Sequence, residues 1–270
     1  TREAVSFIER GAARPDPFFL YLSYNAPHTP LQVTDRYYRR FPQEPSRPKR
    51  IYKAMVSAVD DGIGAVLSAL KRLKLEDDTL VVFLSDNGCA TTSMACSNAP
   101  LNGGKLFPFE GGVRVPMIWR LPGRITAGAT YDEMVSSMDI LPSVASLARV
   151  APTSGKALDG VDLFPHLAGA RQSPPHDALF FRVGDNAAVR RGRHKLVTLN
   201  NSRTLLFDLD DDLRERKDLA LQRPDRVTAL ADELRDWEAD MAKPLWPGQQ
   251  TAPFSLKPLG LGDERYHLWT

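Results

Sequence analysis

The chain has 270 residues, a formal net charge of +2 and 43% hydrophobic residues, enough for a globular α/β protein with one large core and room for a small second one. The near-neutral charge gives no support for a nucleic-acid or polyanion binder. No run approaches the length of a membrane span, and no stretch has the charged-then-apolar layout of a signal peptide.

Residues 2–13 predict a helix with Ala4, Val5, Phe7 and Ile8 on one side, ended by Pro15 and Pro17. Phe18 to Tyr24 is an apolar and aromatic run suited to a buried strand, and it leads into the loop Asn25-Ala26-Pro27-His28-Thr29-Pro30. Residues 34–48, rich in Pro and Arg, predict an irregular surface excursion. Residues 49–74 predict a long helix, with Ile51, Met55, Val59, Ile63, Val66, Leu67 and Leu70 at helical spacing. Leu80–Leu84 reads as a second buried strand running into Ser85-Asp86-Asn87-Gly88. Strand, helix, strand in that order predicts a parallel sheet, with both polar loops beyond the C-terminal ends of its strands, where ligands gather in such sheets.

Residues 88–114 form a long Gly- and Asn-containing loop, 115–119 a third strand and 132–149 a further helix. The Gly-, Ala- and Pro-rich stretch around 168–177 marks a boundary between an α/β part, 1–170, and a small α+β part, 171–270. Beyond it, strand-like pieces near 178–183, 187–191, 194–199 and 204–208 predict a small antiparallel sheet. The segment 224–242, with Val227, Leu230, Leu234 and Trp237 aligned, predicts an amphipathic helix. The last thirty or so residues are expected to wrap the surface.

Four residue types on these loops could carry chemistry. Asp86 and Asn87 offer a carboxylate and an amide oxygen, which suit a hard cation, although Asp-Asn-Gly is equally suited to an Asx-type turn. His28, in a loop stiffened by Pro27 and Pro30, is either a surface histidine or a donor to a charged oxygen. Lys105 follows Gly103-Gly104 and is either a solvated lysine or an anion-binding one, while Glu110 and Arg114 are expected to pair and brace their loop. Cys89 and Cys96 are either two loop thiols or a local disulfide, and do not make a zinc site. A hard-metal pair, a histidine and a lysine at one sheet edge are equipment for handling a tetrahedral anion.

Three motifs in order, Asn25–Pro30, Leu84–Gly88 and Gly103-Gly104-Lys105 with Phe109–Pro116, resemble the later motifs of the type I sulfatases of the alkaline-phosphatase superfamily. Met138–Pro142, Leu158–Leu163 and Leu206–Leu209 resemble later landmarks of the same family. The resemblance implies an alkaline-phosphatase-like α/β fold, a mostly parallel sheet flanked by helices, with a small C-terminal antiparallel sheet and helix. It implies Asp86 and Asn87 as ligands of Ca2+, or of Mg2+ in its place. It also implies that His28 contacts the sulfate and leaving-group oxygen, and that Lys105 binds a sulfate oxygen and the bridging oxygen. The implied activity is hydrolysis of sulfate esters of aryl compounds or sugars, and the implied compartment is periplasmic, secreted or lysosome-like.

The family's nucleophile is a formylglycine made in a Cys-x-Pro-Ser-Arg motif of the N-terminal half, and neither Cys89 nor Cys96 lies in one. Pro45-Ser46-Arg47 is preceded by Gln43 in the cysteine's place. Asp60-Asp61 and Asp77-Asp78 read as solvated surface rather than the family's paired metal aspartates. A start at Thr1 reads as a start partway along a longer product, whose N-terminal half would be this chain's partner. The chain by itself is expected to bind calcium weakly and turn nothing over. Alternatives are a phosphoester or phosphonate-ester hydrolase of the same superfamily, and a non-catalytic binding remnant.

Overall fold

The computed structural model describes residues 1–91, 95–151, 155 and 157–242, together with the backbone of 251–255 and 265–269. Its contacts divide the chain into two compact units that interleave along the sequence. The first comprises Thr1–Leu84, Ala90–Ser97 and Pro116–Ala127, and the second Ser85–Cys89, Asn98–Val115 and Gly128–Thr270. Segments 98–115 and 128–170, expected to belong with the N-terminal part, therefore group with the C-terminal sheet.

In the first unit, α1 (Arg2–Ala12) buries Ala4 and Ile8, and Phe7 meets Phe18 edge-on with centroids 5.9 Å apart. After the one-turn α2 (Asp35–Tyr38), α3 runs from Arg47 to Arg72, with Pro48 in its first turn where no helical N–H is lost. Arg72 reaches Glu9 of α1 at 2.6 Å. Gly62 lies beneath the hydrogen bond between Thr1 and Tyr24 (2.9 Å), where a Cβ would collide with both hydroxyl oxygens. The expected apolar stripe of α3 is only partly covered: Met55 and Leu70 are buried and Leu67 is exposed.

The parallel sheet expected here is not found among the described residues. β1 (Val81–Leu84) pairs antiparallel with β2 (Met117–Arg120), Val81 opposite Arg120 and Leu84 opposite Met117. Phe18–Tyr24 keeps a strand's alternation, with 18, 20, 22 and 24 half-buried and 19, 21 and 23 exposed, but is not assigned as a strand. Extended backbone becomes a strand only when a neighbour accepts and donates its ladder hydrogen bonds. Phe19 is 73% exposed and Tyr21 80%.

The second unit is built on a four-stranded antiparallel meander of β3 (Ala178–Val183), β4 (Asn186–Arg191), β5 (His194–Leu199) and β6 (Arg203–Asp208), adjacent in that order. All four expected strand pieces are present. One face packs Ala187, Val189, Leu196 and Leu206 against Leu230 and Leu234 of α7 (Pro224–Ala239), where Trp237 stacks on Phe180 with centroids 5.2 Å apart. The other face packs Ala188, Val197, Leu199, Leu205 and Phe207 against Phe107 and Phe109. The loop rich in polar motifs is thus seated on the C-terminal sheet by two phenylalanines, and it contains one helical turn, α4 (Glu110–Val113).

The helix expected at 132–149 is α5, Ile140–Ala148, preceded by a 3-10 turn at Ser137–Asp139. A capping box sets this start: the Ser136 hydroxyl accepts from the Met138 amide, and the Asp139 carboxylate accepts from the Ser136 amide. Fully buried, Asp139 also accepts from the Val161 amide at 2.9 Å and lies 2.8 Å from His176 Nε2. The motifs 138–142 and 158–163 are therefore partners in one structural brace, which passes through Gly160 and precedes the short α6 (Phe164–Leu167). β7 (Thr251–Ser255) and β8 (Arg265–Trp269) pair antiparallel, and the rest of the surface-wrapping segment lies outside the described residues.

Candidate functional site

The chain leaves β1 at Leu84 and makes a tight loop. The Asn87 amide donates to Asp86 Oδ1 at 2.9 Å, and the Ser85 hydroxyl donates to the Asn87 carbonyl at 2.8 Å. The Asp86 carboxylate thus accepts from its immediate neighbour, while the Gly88 amide that an Asx-type turn would use goes elsewhere, and neither bond excludes a cation. Asp86 is exposed, and Asn87 turns its Nδ2 to the Gly88 carbonyl at 2.9 Å, which commits the amide nitrogen and leaves Oδ1 as its oxygen donor. Gly88 donates to the Gly112 carbonyl at 3.0 Å, and a Cβ there would overlap the Gly111 carbonyl oxygen. Only glycine lets these two backbones approach so closely.

Lys105 sits at the corner of a β-turn closed by the Phe107 amide on the Gly104 carbonyl at 3.0 Å. Leu106 takes φ 76°, a left-handed conformation uncommon for a bulky residue. The Lys105 amide donates to the Cys89 carbonyl at 3.1 Å, so this turn is joined to the segment that follows Asp86 and Asn87. Asn98 sews the two loops further. Its Oδ1 accepts from the Cys89 amide at 2.7 Å, and its Nδ2 donates to the carbonyls of Cys89 and Gly103, both at 3.0 Å. The two cysteines are disulfide-bonded, which settles the alternative left open by their spacing. Asp86, Asn87 and Lys105 are thus held on one hydrogen-bonded assembly within the second unit.

His28 belongs to the first unit. It is exposed, its amide donates to the Asn25 carbonyl at 2.9 Å, and Nδ1 lies 2.8 Å from the Thr29 carbonyl oxygen. That contact assigns a proton to Nδ1, so donation to a leaving-group oxygen through Nε2 requires the imidazolium. Asp61, read as solvated surface, is paired with Arg40 at 2.7 Å.

Beneath the Lys105 turn lies a group that the sequence reading missed. Lys195 is completely buried, and its Nζ donates to Glu110 Oε1 at 2.8 Å and lies 3.0 Å from Glu215 Oε1. Glu215 Oε2 accepts from the Glu110 amide at 2.7 Å, and the Glu215 carbonyl accepts from Asn102 Nδ2 at 3.2 Å. Arg114 and Arg190 each approach Glu110 Oε2 at 3.5 Å, so the expected Glu110–Arg114 pair exists as the outer edge of a larger network. The missed signal was period two: Lys195, Val197 and Leu199 share a strand face, and the other two are core residues.

Burial pushes the Glu215 carboxyl up to about 7, an effect that the nearby Lys195 only partly offsets. Burial also acts to raise Glu110, but the charges of Lys195, Arg190 and Arg114 outweigh it and hold that carboxyl below its ordinary value. An unfolded glutamate titrates near ~4.3. Between that value and about 7 the folded chain holds a proton on Glu215 that the unfolded chain has released. Stability should therefore fall as pH rises through this window and level off above it, by an amount on the order of 3 kcal/mol. Thermal unfolding between pH 5 and pH 8 reads this slope, and Glu215→Gln should flatten it.

The donor chemistry of Asp86 and Asn87 fits a hard cation, but two oxygen ligands are fewer than the six to eight that calcium takes. Among the described residues no group of three or more His, Cys, Asp and Glu could hold a metal ion. Neither cysteine fits a formylglycine precursor, since both are in the disulfide. No helix among the described residues is long and apolar enough to cross a membrane.

Comparison with known proteins gives a consistent set of likenesses. The sulfatase family model matches residues 1–150, and the C-terminal model of N-sulphoglucosamine sulphohydrolase matches residues 104–239. N-acetylgalactosamine-6-sulfatase of Canis lupus familiaris is 37% identical over 197 residues, covering 72% of this chain and 36% of that protein. Steryl-sulfatase of Homo sapiens is 37% identical over 187 residues, covering 67% of this chain and 31% of that protein. The chain thus spans about a third of the length of these relatives. The crystal structure of Ps i-CgsB in complex with k-i-k-neocarrahexaose superposes with a TM-score of 0.84 at 35% identity, covering 91% of this chain and 55% of that one. A phosphonate monoester hydrolase of Agrobacterium radiobacter gives 0.56 at 28% identity, covering 71% and 41%.

Proposed function

This chain belongs to the sulfatase family, with that family's alkaline-phosphatase-like α/β fold, and from that premise we propose that it supplies the cation-and-sulfate side of a sulfuric ester hydrolase site. One observation carries the reading: the oxygen pair Asp86 and Asn87 and the cation Lys105 are tied together by the Lys105 amide on the Cys89 carbonyl. Asp86 and Asn87 would hold part of a calcium shell, or magnesium in its place. When bound, such a cation neutralises sulfate charge. Lys105 binds a sulfate oxygen and, as charge develops on departure, the bridging oxygen. His28, as imidazolium, donates to the leaving-group oxygen. The formylglycine nucleophile and the remaining calcium ligands have no counterpart among the described residues and would come from a preceding segment of the same domain. Phe18–Tyr24 is extended and, among the described residues, unpaired, so its backbone edge could take up a strand of such a segment.

The substrate class we propose is a sulfated carbohydrate, because the relatives at 35–37% identity include an N-acetylgalactosamine-6-sulfatase and a protein crystallised with a neocarrahexaose. The Cys89–Cys96 disulfide supports a periplasmic, secreted or lysosome-like compartment. The likeness to a phosphonate monoester hydrolase makes that chemistry the competing reading. Steady-state assay of the full-length protein with matched aryl sulfate, phosphate and phosphonate esters in calcium separates them. Sulfate ester turnover at least about tenfold above the other two is expected, and preference for a phosphorus ester would reject the assignment.

A further inference from the structure

We infer that Lys195 and Glu215 are positioning residues for the Lys105 turn, acting on the sulfate-binding lysine through Glu110 without touching substrate. The inference rests on the role proposed above for Lys105.

Leu106 holds φ 76°, a conformation that a leucine keeps only when its surroundings impose it. Two anchors lie on its C-terminal side. The apolar anchor is Phe107 and Phe109 in the core of the sheet. The polar anchor is Glu110, the residue that opens α4 directly after Phe109. Its carboxylate is held by Lys195 and its amide by the Glu215 carboxylate, so one residue is gripped at both its side chain and its backbone. On the N-terminal side of the turn, Asn102 donates to the Glu215 carbonyl, and the Asn102 carbonyl accepts from the Gly111 amide at 2.6 Å. Glu215 therefore grips both ends of the segment 102–110 whose middle carries Lys105. The Gly112 carbonyl then accepts from the Gly88 amide, which continues the chain of contacts into the Asp86-Asn87 loop.

The chemistry of the grip is unlike ordinary core packing. Lys195 brings a full charge to a strand position whose neighbours on the same face, Val197 and Leu199, are apolar. Burying that charge with two carboxylates is costly compared with an apolar triplet of similar volume. What the ionic arrangement adds is direction: a lysine ammonium and a carboxylate fix Glu110 in one place and orientation, whereas apolar side chains would hold it loosely. Arg190 on β4 and Arg114 at the end of α4 face Glu110 from the other side and complete the charges around it.

The test is a double-mutant cycle in the full-length protein with an aryl sulfate and calcium, comparing Glu215→Gln, Lys105→Ala and both together. Glu215→Gln is expected to lower kcat/KM about tenfold or more, mostly in kcat, because a turn displaced by a fraction of an ångström loses transition-state contacts. In the Lys105→Ala background the same substitution should change kcat/KM by less than about twofold, since the group it positions is gone. Equal losses in both backgrounds would show a general effect on folding and overturn the inference. A silent Glu215→Gln beside a severe Lys105→Ala would overturn it while leaving the assigned function standing. A silent Lys105→Ala would instead remove the role of Lys105 and the inference with it. If Glu215→Gln does not fold, Asn102→Ala, which frees the other end of the segment and leaves the ionic group intact, enters the same cycle with the same outcomes deciding.

Discussion

Lys195→Met is expected to destabilise the chain by roughly 3–5 kcal/mol at pH 8. The substitution keeps the length and volume of the side chain, so the sheet face loses little packing. What it removes is the cation between Glu110 and Glu215, both buried and both within 3.0 Å of the lysine nitrogen. Two carboxylates then share a water-poor site, with Arg190 and Arg114 at 3.5 Å as the remaining positive charges. Protonation relieves this, so the loss should shrink as pH falls from 8 to 5, where Glu215 carries its proton. Urea unfolding at the two pH values measures it as a shift in midpoint at constant slope. An equal loss at both values would mean that Lys195 acts through packing instead of charge.

Lys105→Ala in the full-length protein is expected to lower kcat for sulfate esters by about 100- to 1,000-fold, the usual consequence of removing one preorganised group from developing negative charge. The residue stands at a turn corner, half-buried, so the substitution should leave the core of the sheet intact. Lys105→Arg should restore only part of the loss, because the planar guanidinium projects farther than an ammonium from a turn of fixed geometry. Steady-state kinetics with an aryl sulfate, read beside the melting temperature of each variant, checks both. A loss below about fivefold would remove Lys105 from the site.

How much of this was legible in the sequence depends on which forces decide each element. The C-terminal sheet and α7 could be read nearly residue by residue, because each strand is covered on both faces by partners within this chain and each turn is short. The two-stranded β1 and β2 pair shows where local pattern stops: apolar runs announced strands, but pairing direction belongs to whichever strand lies alongside, and here the neighbour is antiparallel. Phe18–Tyr24 has a strand's alternation and no ladder, which pattern alone cannot distinguish. The helix expected from 132 begins at Ile140 because Ser136 and Asp139 cap it there, through a Ser-x-x-Asp pattern that is local in the sequence.

Of the site, the types and order of Asp86, Asn87, Lys105 and His28 were legible as motifs, and the structure ties the first three together. The support beneath them was not. Glu110, Lys195 and Glu215 lie 85 and 20 residues apart along the chain, and only folding of the sheet onto the Phe107-Phe109 loop brings them together. Glu110 and Arg114 were expected to pair and brace their loop, whereas the closer contact to Glu110 comes from a distant strand.

The central claim is that this chain holds one side of a sulfatase site and that the nucleophile comes from elsewhere. Its most direct test is sulfate ester turnover by the 270-residue chain beside turnover by a product extended upstream of Thr1, both with calcium. No turnover above background is expected for the former, and calcium-dependent turnover for the latter. Robust turnover by the 270-residue chain would contradict it.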